Sequence, residues 1–299
     1  YDDGFRLMLT VDCGITGVEE VDYANSLGME VYITDHHEPA DKIPNAKAVV
    51  DTKRKDNEYP FNQLAGVGVV FKLIQALSIK LGLEEKEYLK YLDIVCIGTI
   101  SDIVPLVDEN RVIAKLGLKL VAQTKNIGLK TLLDIIGFKT IDSSAISFGV
   151  APRINACGRM GNEQIALDLF LSKDKEEAKK LAIQLNEYNA ERQRIEKQIF
   201  EEAVEKIEAD EKEKSCIIVG SENWHHGIIG IVASKVTEMY FKPSILICFE
   251  GEEGKGSGRS IPGFDLHEAL MRYGSHLTKF GGHAMAVGVT VKTAEFETF

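Results

Sequence analysis

The chain has 299 residues, 44% of them hydrophobic, which is enough to bury the cores of two ordinary domains. A net charge of −11 argues against broad non-specific attraction to nucleic acid, while leaving room for a local basic groove or for cations that offset a carboxylate cluster. The five cysteines (Cys13, Cys96, Cys157, Cys216 and Cys248) form no Cys-x-x-Cys pair, no apolar run reaches the roughly 18 residues of a membrane span, and no basic-then-apolar secretory segment opens the chain; a reduced, cytoplasmic protein without disulfides or a zinc ribbon is expected.

In chain order, the apolar run Leu7 to Val11 predicts a strand ending at Asp12. Val18 to Leu27 predicts a helix, and Met29 to Thr34 a buried strand that runs into Asp35-His36-His37. Strand, helix, strand makes the two strands parallel neighbours. Ligands of open α/β sheets gather beyond the carboxyl ends of the strands, so Asp12 and Asp35-His36-His37 are expected side by side. Carboxylate oxygens mixed with imidazole suit Mn²⁺ or a similar divalent cation, and the place after a strand favours that reading over an ordinary polar turn. Ala46 to Val50 predicts a third strand. Helices are expected over Ala65 to Leu81, with Gly66 and Gly68 permitting close approach, over Glu87 to Ile100, which delivers Ser101-Asp102, and over Asn110 to Ala122 and Leu129 to Ile135. Arg153 to Met160 reads as a loop-like stretch carrying Arg153, Asn155 and Arg159, either a site or a solvated connector.

Lys175 to Ala209 is the longest uninterrupted helical pattern, with Leu181, Leu185, Tyr188, Ile195 and Ile199 at helical spacing and a charged opposite face. It reads as a spacer between two domains. Beyond it, Cys216 to Val219 predicts a strand, Gly227 to Phe241 a helix, Ser244 to Phe249 a strand, Leu266 to Tyr273 a helix and Ala284 to Val291 a last strand, a smaller α/β domain. Gly254 to Ser260 is expected to offer backbone N–H groups, the Arg259 guanidinium and the Ser257 and Ser260 hydroxyls to a phosphate, as a nest. Gly281-Gly282-His283 places a donor on backbone that can approach a ligand closely. The expected divisions are residues 1–161, 162–214 and 215–299.

Taken together, Thr10 to Ile15, Thr34 to His37, Gly98 to Leu106 and Arg153 to Met160 resemble successive motifs of the DHH phosphoesterases, and Trp224 to Ala233, Gly256 to Ser260 and Gly281 to His283 resemble that family's associated substrate-binding domain. The likeness is strongest to its single-strand-specific DNA exonucleases and spans nearly the whole chain. It implies a parallel-sheet DHH domain joined by a long spacer helix to a smaller α/β domain. The implied activity is metal-dependent phosphodiester hydrolysis with Mn²⁺ or Mg²⁺ in a two-metal site, removing nucleotides from single-stranded DNA in the 5′ to 3′ direction during DNA repair and recombination. By the same resemblance Asp12, His36 and Asp102 fall on metal ligands, Asp35 counts with them, and His37 serves phosphate contact or orientation. Arg153, Asn155, Arg159, His225, Ser257, Arg259, Ser260 and His283 would contact substrate. Trp224 reads as core more readily than as a base-stacking platform. A monomer is implied, with a helicase or single-strand-binding protein as possible partner.

One departure stands out. The family's Asp-x-Asp-Gly at the end of its first sheet strand has no counterpart here, because Asp2-Asp3-Gly4 has the wrong spacing and precedes a strand. The expectation is a piece of a longer protein, lacking its first strand and a further nucleic-acid-binding domain, and inactive by itself. Two alternatives stay open: a DHH oligonucleotide or cyclic-dinucleotide phosphodiesterase, and a noncatalytic nucleic-acid-binding relative.

Overall fold

The computed structural model describes residues 1–299, the side chains of Glu211 and Tyr273 excepted. The chain divides into two compact units, one of Tyr1–Ile154 with Leu167–Ile183, the other of Asn155–Ala166 with Gln184–Phe299. The expected connector over 162–214 is thus shared between them.

The first unit opens with β1 (Leu7–Val11), α1 (Val18–Ser26), β2 (Glu30–Asp35) and β3 (Ala48–Asp51). The strands form a parallel sheet in the order β1-β2-β3, with Val11 opposite Thr34 and Asp35 opposite Asp51. All three therefore end on one rim. β2 is the buried centre: Val31 and Ile33 pack with Val21 and Ala24 of α1. β1 is different. Its Leu7, Met8, Leu9 and Val11 are 40–58% exposed, although parallel strands are ordinarily covered on both faces.

Helices complete this unit: α2 (Gly66–Lys80), α3 (Lys86–Leu89), α4 (Leu92–Ser101), α5 (Asp108–Val121), α6 (Ile127–Ile136), and α7 (Ser143–Ala145), which passes through a π-helical turn at Ile146–Val150 into α8 (Ala151–Arg159). α9 (Gln164–Leu171) and α10 (Lys175–Lys206) follow. Two sequence expectations are corrected. The single helix over Glu87 to Ile100 is two, because the turn at Lys90-Tyr91 separates a short, largely exposed piece from α4, which is buried around most of its circumference. The loop-like Arg153 to Met160 is helical, with Ala156 and Cys157 in the core. α4 is held tightly: a Cβ on Gly117 of α5 would lie 2.2 Å from the Cys96 Cβ, so only glycine permits this crossing.

The second unit holds β4 (Ile217–Ser221), α11 (His226–Tyr240), β5 (Ser244–Glu250), β6 (Glu253–Arg259), α12 (Leu266–Tyr273), β7 (Leu277–His283) and β8 (Ala286–Lys292). The sheet order is β4-β5-β6-β8-β7, with β4 and β5 parallel and every other pair antiparallel. Ile228, Ile229, Val232 and Val236 of α11 pack with Ile217, Val219 and Leu246, and with Ile199 and Ala203 of α10. Ile245, Ile247, Val287 and Val289 form a second core with Leu266 and Leu270 of α12.

The expected phosphate nest at Gly254 to Ser260 is overturned here. Glu253–Arg259 is an interior strand, paired in full register with β5 on one side and β8 on the other, so its backbone groups go to ladders and not to a ligand. The alternate glycines have a packing reason: a Cβ on Gly254, Gly256 or Gly258 would lie 2.5–2.7 Å from side chains of Ile247, Val289 or Val287. Gly256→Val is therefore expected to destabilise the second unit by about 1–3 kcal/mol through overpacking. The measurement is the urea midpoint, and an unchanged midpoint would show that the neighbours give way freely.

Candidate metal centre and arginine cradle

The three strand ends of the first unit carry the chemistry. β2 ends at Asp35, whose side chain is buried. Its Oδ2 accepts the Ile15 N–H at 2.9 Å, and its Oδ1 accepts the His36 N–H at 2.8 Å and the His37 N–H at 3.3 Å. The same Oδ1 lies 2.7 Å from the His37 Nδ1. Burial alone would raise the Asp35 carboxyl, but these hydrogen bonds together hold it below its ordinary value. Both oxygens are occupied, and what they orient is the backbone and ring of the two histidines beside it.

Asp12 follows β1 in a left-handed conformation, φ +62°, a region an L-residue enters at a cost and one associated with functional sites. Its N–H is bonded to the Thr34 carbonyl at 3.0 Å, which ties it to β2. The start of α2 presses on its carboxylate so closely that a Cβ on Gly66 would fall 2.1 Å from the Asp12 Oδ1. Asp102 closes the C-terminus of α4. Burial, and then the Asp12 charge, push the Asp102 carboxyl up, against the opposing pull of His36.

These groups converge on one atom. The His36 Nε2 lies 3.0 Å from Asp12 Oδ1 and 3.5 Å from Asp102 Oδ2. It is sealed from solvent and makes a hydrogen bond with neither, the alignment being wrong for one. Asp12, His36 and His37 each offer a ligand atom, all within 4.8 Å of one another. An unpartnered buried imidazole nitrogen ringed by carboxylates is a poor hydrogen-bond arrangement and a good set of lone pairs. The residues fit a hard or borderline divalent cation.

Sequence reasoning missed Asp51. It ends β3 directly opposite Asp35, is buried, and leaves Oδ2 without a partner while Oδ1 accepts the Lys53 N–H at 2.7 Å. Burial raises its carboxyl, and the Asp35 charge adds to that. The signal was present, since Ala46 to Val50 is a third apolar run that ends in an aspartate.

In the second unit two arginines meet at the start of α11. Arg159 donates from Nη1 to the Gly227 carbonyl at 3.1 Å. Arg259 donates from Nη1 to Ser257 Oγ at 3.0 Å and to the Gly258 carbonyl at 2.8 Å. A Cβ on Gly230 would lie 3.0 Å from Ser257 Oγ and 3.2 Å from the Arg259 Nη2, so this small residue admits both. His225 caps the helix, its Nδ1 accepting the Gly227 N–H at 3.1 Å. Burial, and then the Arg159 charge, lower the Arg259 guanidinium. Two like charges beside a helix N-terminus form a ready place for an anion.

The other expected contact residues divide. Asn155 is exposed on α8 of the second unit, while Arg153, two residues earlier but in the first unit, donates to the Gly149 carbonyl at 2.9 Å. His283 is exposed at the end of β7. Ser260 is consumed by structure: it is buried, its hydroxyl donates to the Phe264 carbonyl at 2.7 Å and its N–H to Met285. Trp224 is core, with Nε1 donating to Glu202 at 2.9 Å.

Residues 5–99 match the DHH family, N-terminal domain, and residues 213–299 match the DHHA1 domain. Among curated relatives, the single-stranded-DNA-specific exonuclease RecJ of Bacillus subtilis is 42% identical over 98% of this chain and 37% of its own length. That of Escherichia coli is 35% identical over 99% of this chain and 55% of its own. Among solved structures, RecJ from Thermus thermophilus in complex with Mn²⁺ superposes with a TM-score of 0.87 at 34% identity, covering 98% of this chain and 43% of that one. A crystal structure of exonuclease RecJ bound to manganese superposes with a TM-score of 0.86 at 34% identity, covering 98% of this chain and 73% of that one. The chain belongs to the DHH family, in its RecJ group. It spans about a third to a half of the length of these two curated relatives.

The Asp35 network generates a pH prediction. A carboxylate depressed in the fold contributes stability that is present above its unfolded value, here 3.8, and is lost as pH falls through the lower folded value. Asp35→Asn is therefore expected to lower stability at neutral pH, and to lose less on acidification than the wild type does. Urea unfolding in chelator at neutral and acid pH measures both. Parallel acid slopes for the two proteins would show that Asp35 is not the group whose ionisation matters.

Proposed function

We propose that this chain is the catalytic core of a metal-dependent, single-stranded-DNA-specific exonuclease that releases nucleotides in the 5′ to 3′ direction in DNA repair and recombination. The observation that carries the reading is the unpartnered His36 Nε2 between Asp12 and Asp102, in a chain that matches RecJ over nearly its whole length. The short-substrate and noncatalytic alternatives are not favoured. The relatives are named single-stranded-DNA-specific exonucleases, and Asp12, Asp35, His36, His37 and Asp102 are all retained.

In this reading Asp12, His36 and Asp102 would hold Mn²⁺ or Mg²⁺. RecJ from Thermus thermophilus has been solved with each of these metals. When bound, such ions lower the pKa of a water and offset charge on the phosphate oxygens. The protein's own part is orientation. Asp35, expected among the ligands, has its oxygens taken up by Ile15, His36 and His37 and is assigned to positioning. With its Nδ1 anchored on Asp35, His37 presents Nε2 to a phosphate oxygen. Arg159, Arg259 and Ser257 bind backbone phosphates, whose recognition needs no base and so suits a single strand of any sequence. A cytoplasmic monomer supplied with single strands by a helicase or single-strand-binding protein completes the reading, as does a division into a DHH domain, a helical connector and a substrate-binding domain.

Three donors hold one ion; a second needs more carboxylates on the same rim. β1 is the exposed, apolar edge of the sheet and leads into Asp12, so carboxylates supplied along that edge would lie on the same rim.

Two outcomes are expected. Mn²⁺ raises the melting temperature of the protein by several degrees, and Asp12→Asn or His36→Ala removes most of that shift by linkage; an undiminished response in both variants rejects the ligand assignment. In the second, residues 1–299 alone release nucleotides from a labelled single strand far more slowly than a chain carrying an added Asp-x-Asp-Gly strand at the β1 edge. Comparable rates would reject the need for further carboxylates.

A further inference from the structure

The second unit contains a buried carboxylate that the proposed chemistry does not use. Glu196 lies on α10, and its side chain is 7% exposed. Each of its oxygens meets a cation: Oε2 is ion-paired with Arg192 one helical turn before it, and Oε1 with Lys235 of α11. Arg192 is fixed further, its Nη2 donating to Asn189 Oδ1 at 2.7 Å. Asn189, Arg192 and Glu196 thus line one face of α10, at spacings of three and four residues.

Burying this network is a poor route to stability. Desolvating a carboxylate and its partners costs about as much as the pairing returns, and apolar replacements of such clusters are often neutral or stabilising. What a buried anion does well is hold cations in one place. Four of them gather in this unit from four elements: Arg159 from α8, Arg192 from α10, Lys235 from α11 and Arg259 from β6. Met160 and Ile195, the chain neighbours of Arg159 and Glu196, pack against the same core of α10 and α11, which brings the two charges near each other; Arg192 and Arg259 repel Arg159, and Glu196 acts on it in the opposite sense. Arg159 is otherwise an exposed side chain held by a hydrogen bond to a carbonyl, a weak restraint on a long, rotamer-rich group.

We propose that Glu196 is a positioning residue for single-strand binding: by occupying Arg192 and Lys235 and attracting Arg159, it keeps Arg159 and Arg259 together as one two-arginine cradle for the phosphate backbone. The assignment rests on the cradle reading above. Glu196 touches no substrate itself, because both of its oxygens are taken.

The opposite expectation would follow from charge alone. Removing an anion from a cluster of cations should tighten binding to a polyanion, whereas losing a positioning residue should weaken it. The test uses a fluorescein-labelled oligothymidylate in chelator, which prevents cleavage, with wild type, Glu196→Gln, Glu196→Asp and Arg259→Ala. Glu196→Gln keeps shape and hydrogen-bonding capacity. It is expected to weaken binding about tenfold, the scale of one charge-assisted contact, and to reduce the salt dependence of log K by about 0.7, one single-strand phosphate contact. Its melting temperature should stay near wild type. Glu196→Asp, which keeps the charge, should weaken binding only about threefold; if the Gln variant does not fold, this variant decides by the same measure.

Wild-type or tighter binding by the substituted protein overturns the proposal. So does a fall in melting temperature with no change in affinity or salt slope for the folded protein, which is what a purely structural role predicts. Arg259→Ala separates the two levels. If it weakens binding and Glu196→Gln does not, the positioning role fails alone; if neither matters, the cradle reading itself is wrong.

Discussion

The first unit depends on one buried carboxylate. Asp35 sits at the carboxyl end of the central strand, takes N–H groups from Ile15, His36 and His37, and anchors the His37 ring. A buried charge without partners would be untenable; with these it fixes three pieces of chain at once. The Ile15 contact ties down the turn after β1, so the segment that carries Asp12 is set by the same side chain that sets the histidines. Asp12 itself has a left-handed backbone, and its carboxylate fits between the end of β1 and the start of α2 only because Gly66 has no side chain.

The second unit solves a related problem by other means. Its polar groups are arranged around a helix start and an interior strand whose alternate glycines let the flanking strands pack close. Arg259 ends that strand and Arg159 ends α8, and each has a guanidinium donor anchored on a carbonyl. One unit therefore presents buried carboxylate and imidazole atoms without hydrogen-bond partners, the other two guanidinium groups beside a helix start. Those are the complementary needs of a cation and of a phosphate.

Much of this was legible in residue order. The strand–helix–strand opening has a period and length that admit few other readings, and the chain rule for parallel strands by itself places Asp12 and Asp35-His36-His37 on one rim. The long helix was equally plain, running Lys175–Lys206 where Lys175 to Ala209 was expected. Misreadings came where local composition is ambiguous. Gly254 to Ser260 reads as a phosphate nest because its glycines suggest flexible backbone, and only the side chains of Ile247, Val287 and Val289 reveal that the glycines are there to leave room. Arg153 to Met160 reads as loop because its charges obscure the buried Ala156 and Cys157. Ser260 looked like a donor to a ligand, and its hydroxyl instead closes a turn onto Phe264.

Residue identity and chain order by themselves determined the class of fold, the rim on which the first site lies and the kinds of atom available there, because strand ends and side-chain chemistry are local properties. Tertiary structure decided which of those atoms are free. Asp35 and His36 are neighbours in the chain and both buried, yet one has its oxygens taken up by hydrogen bonds and the other has a nitrogen with none. It also brought Asp102, 66 residues further on by subtraction of the two positions, to within 3.5 Å of that nitrogen, and gathered Glu196, Arg192 and Lys235 from two helices. Which lone pair is spent and which is left over depends on what packing brings beside it, and no pattern along the chain carries that information.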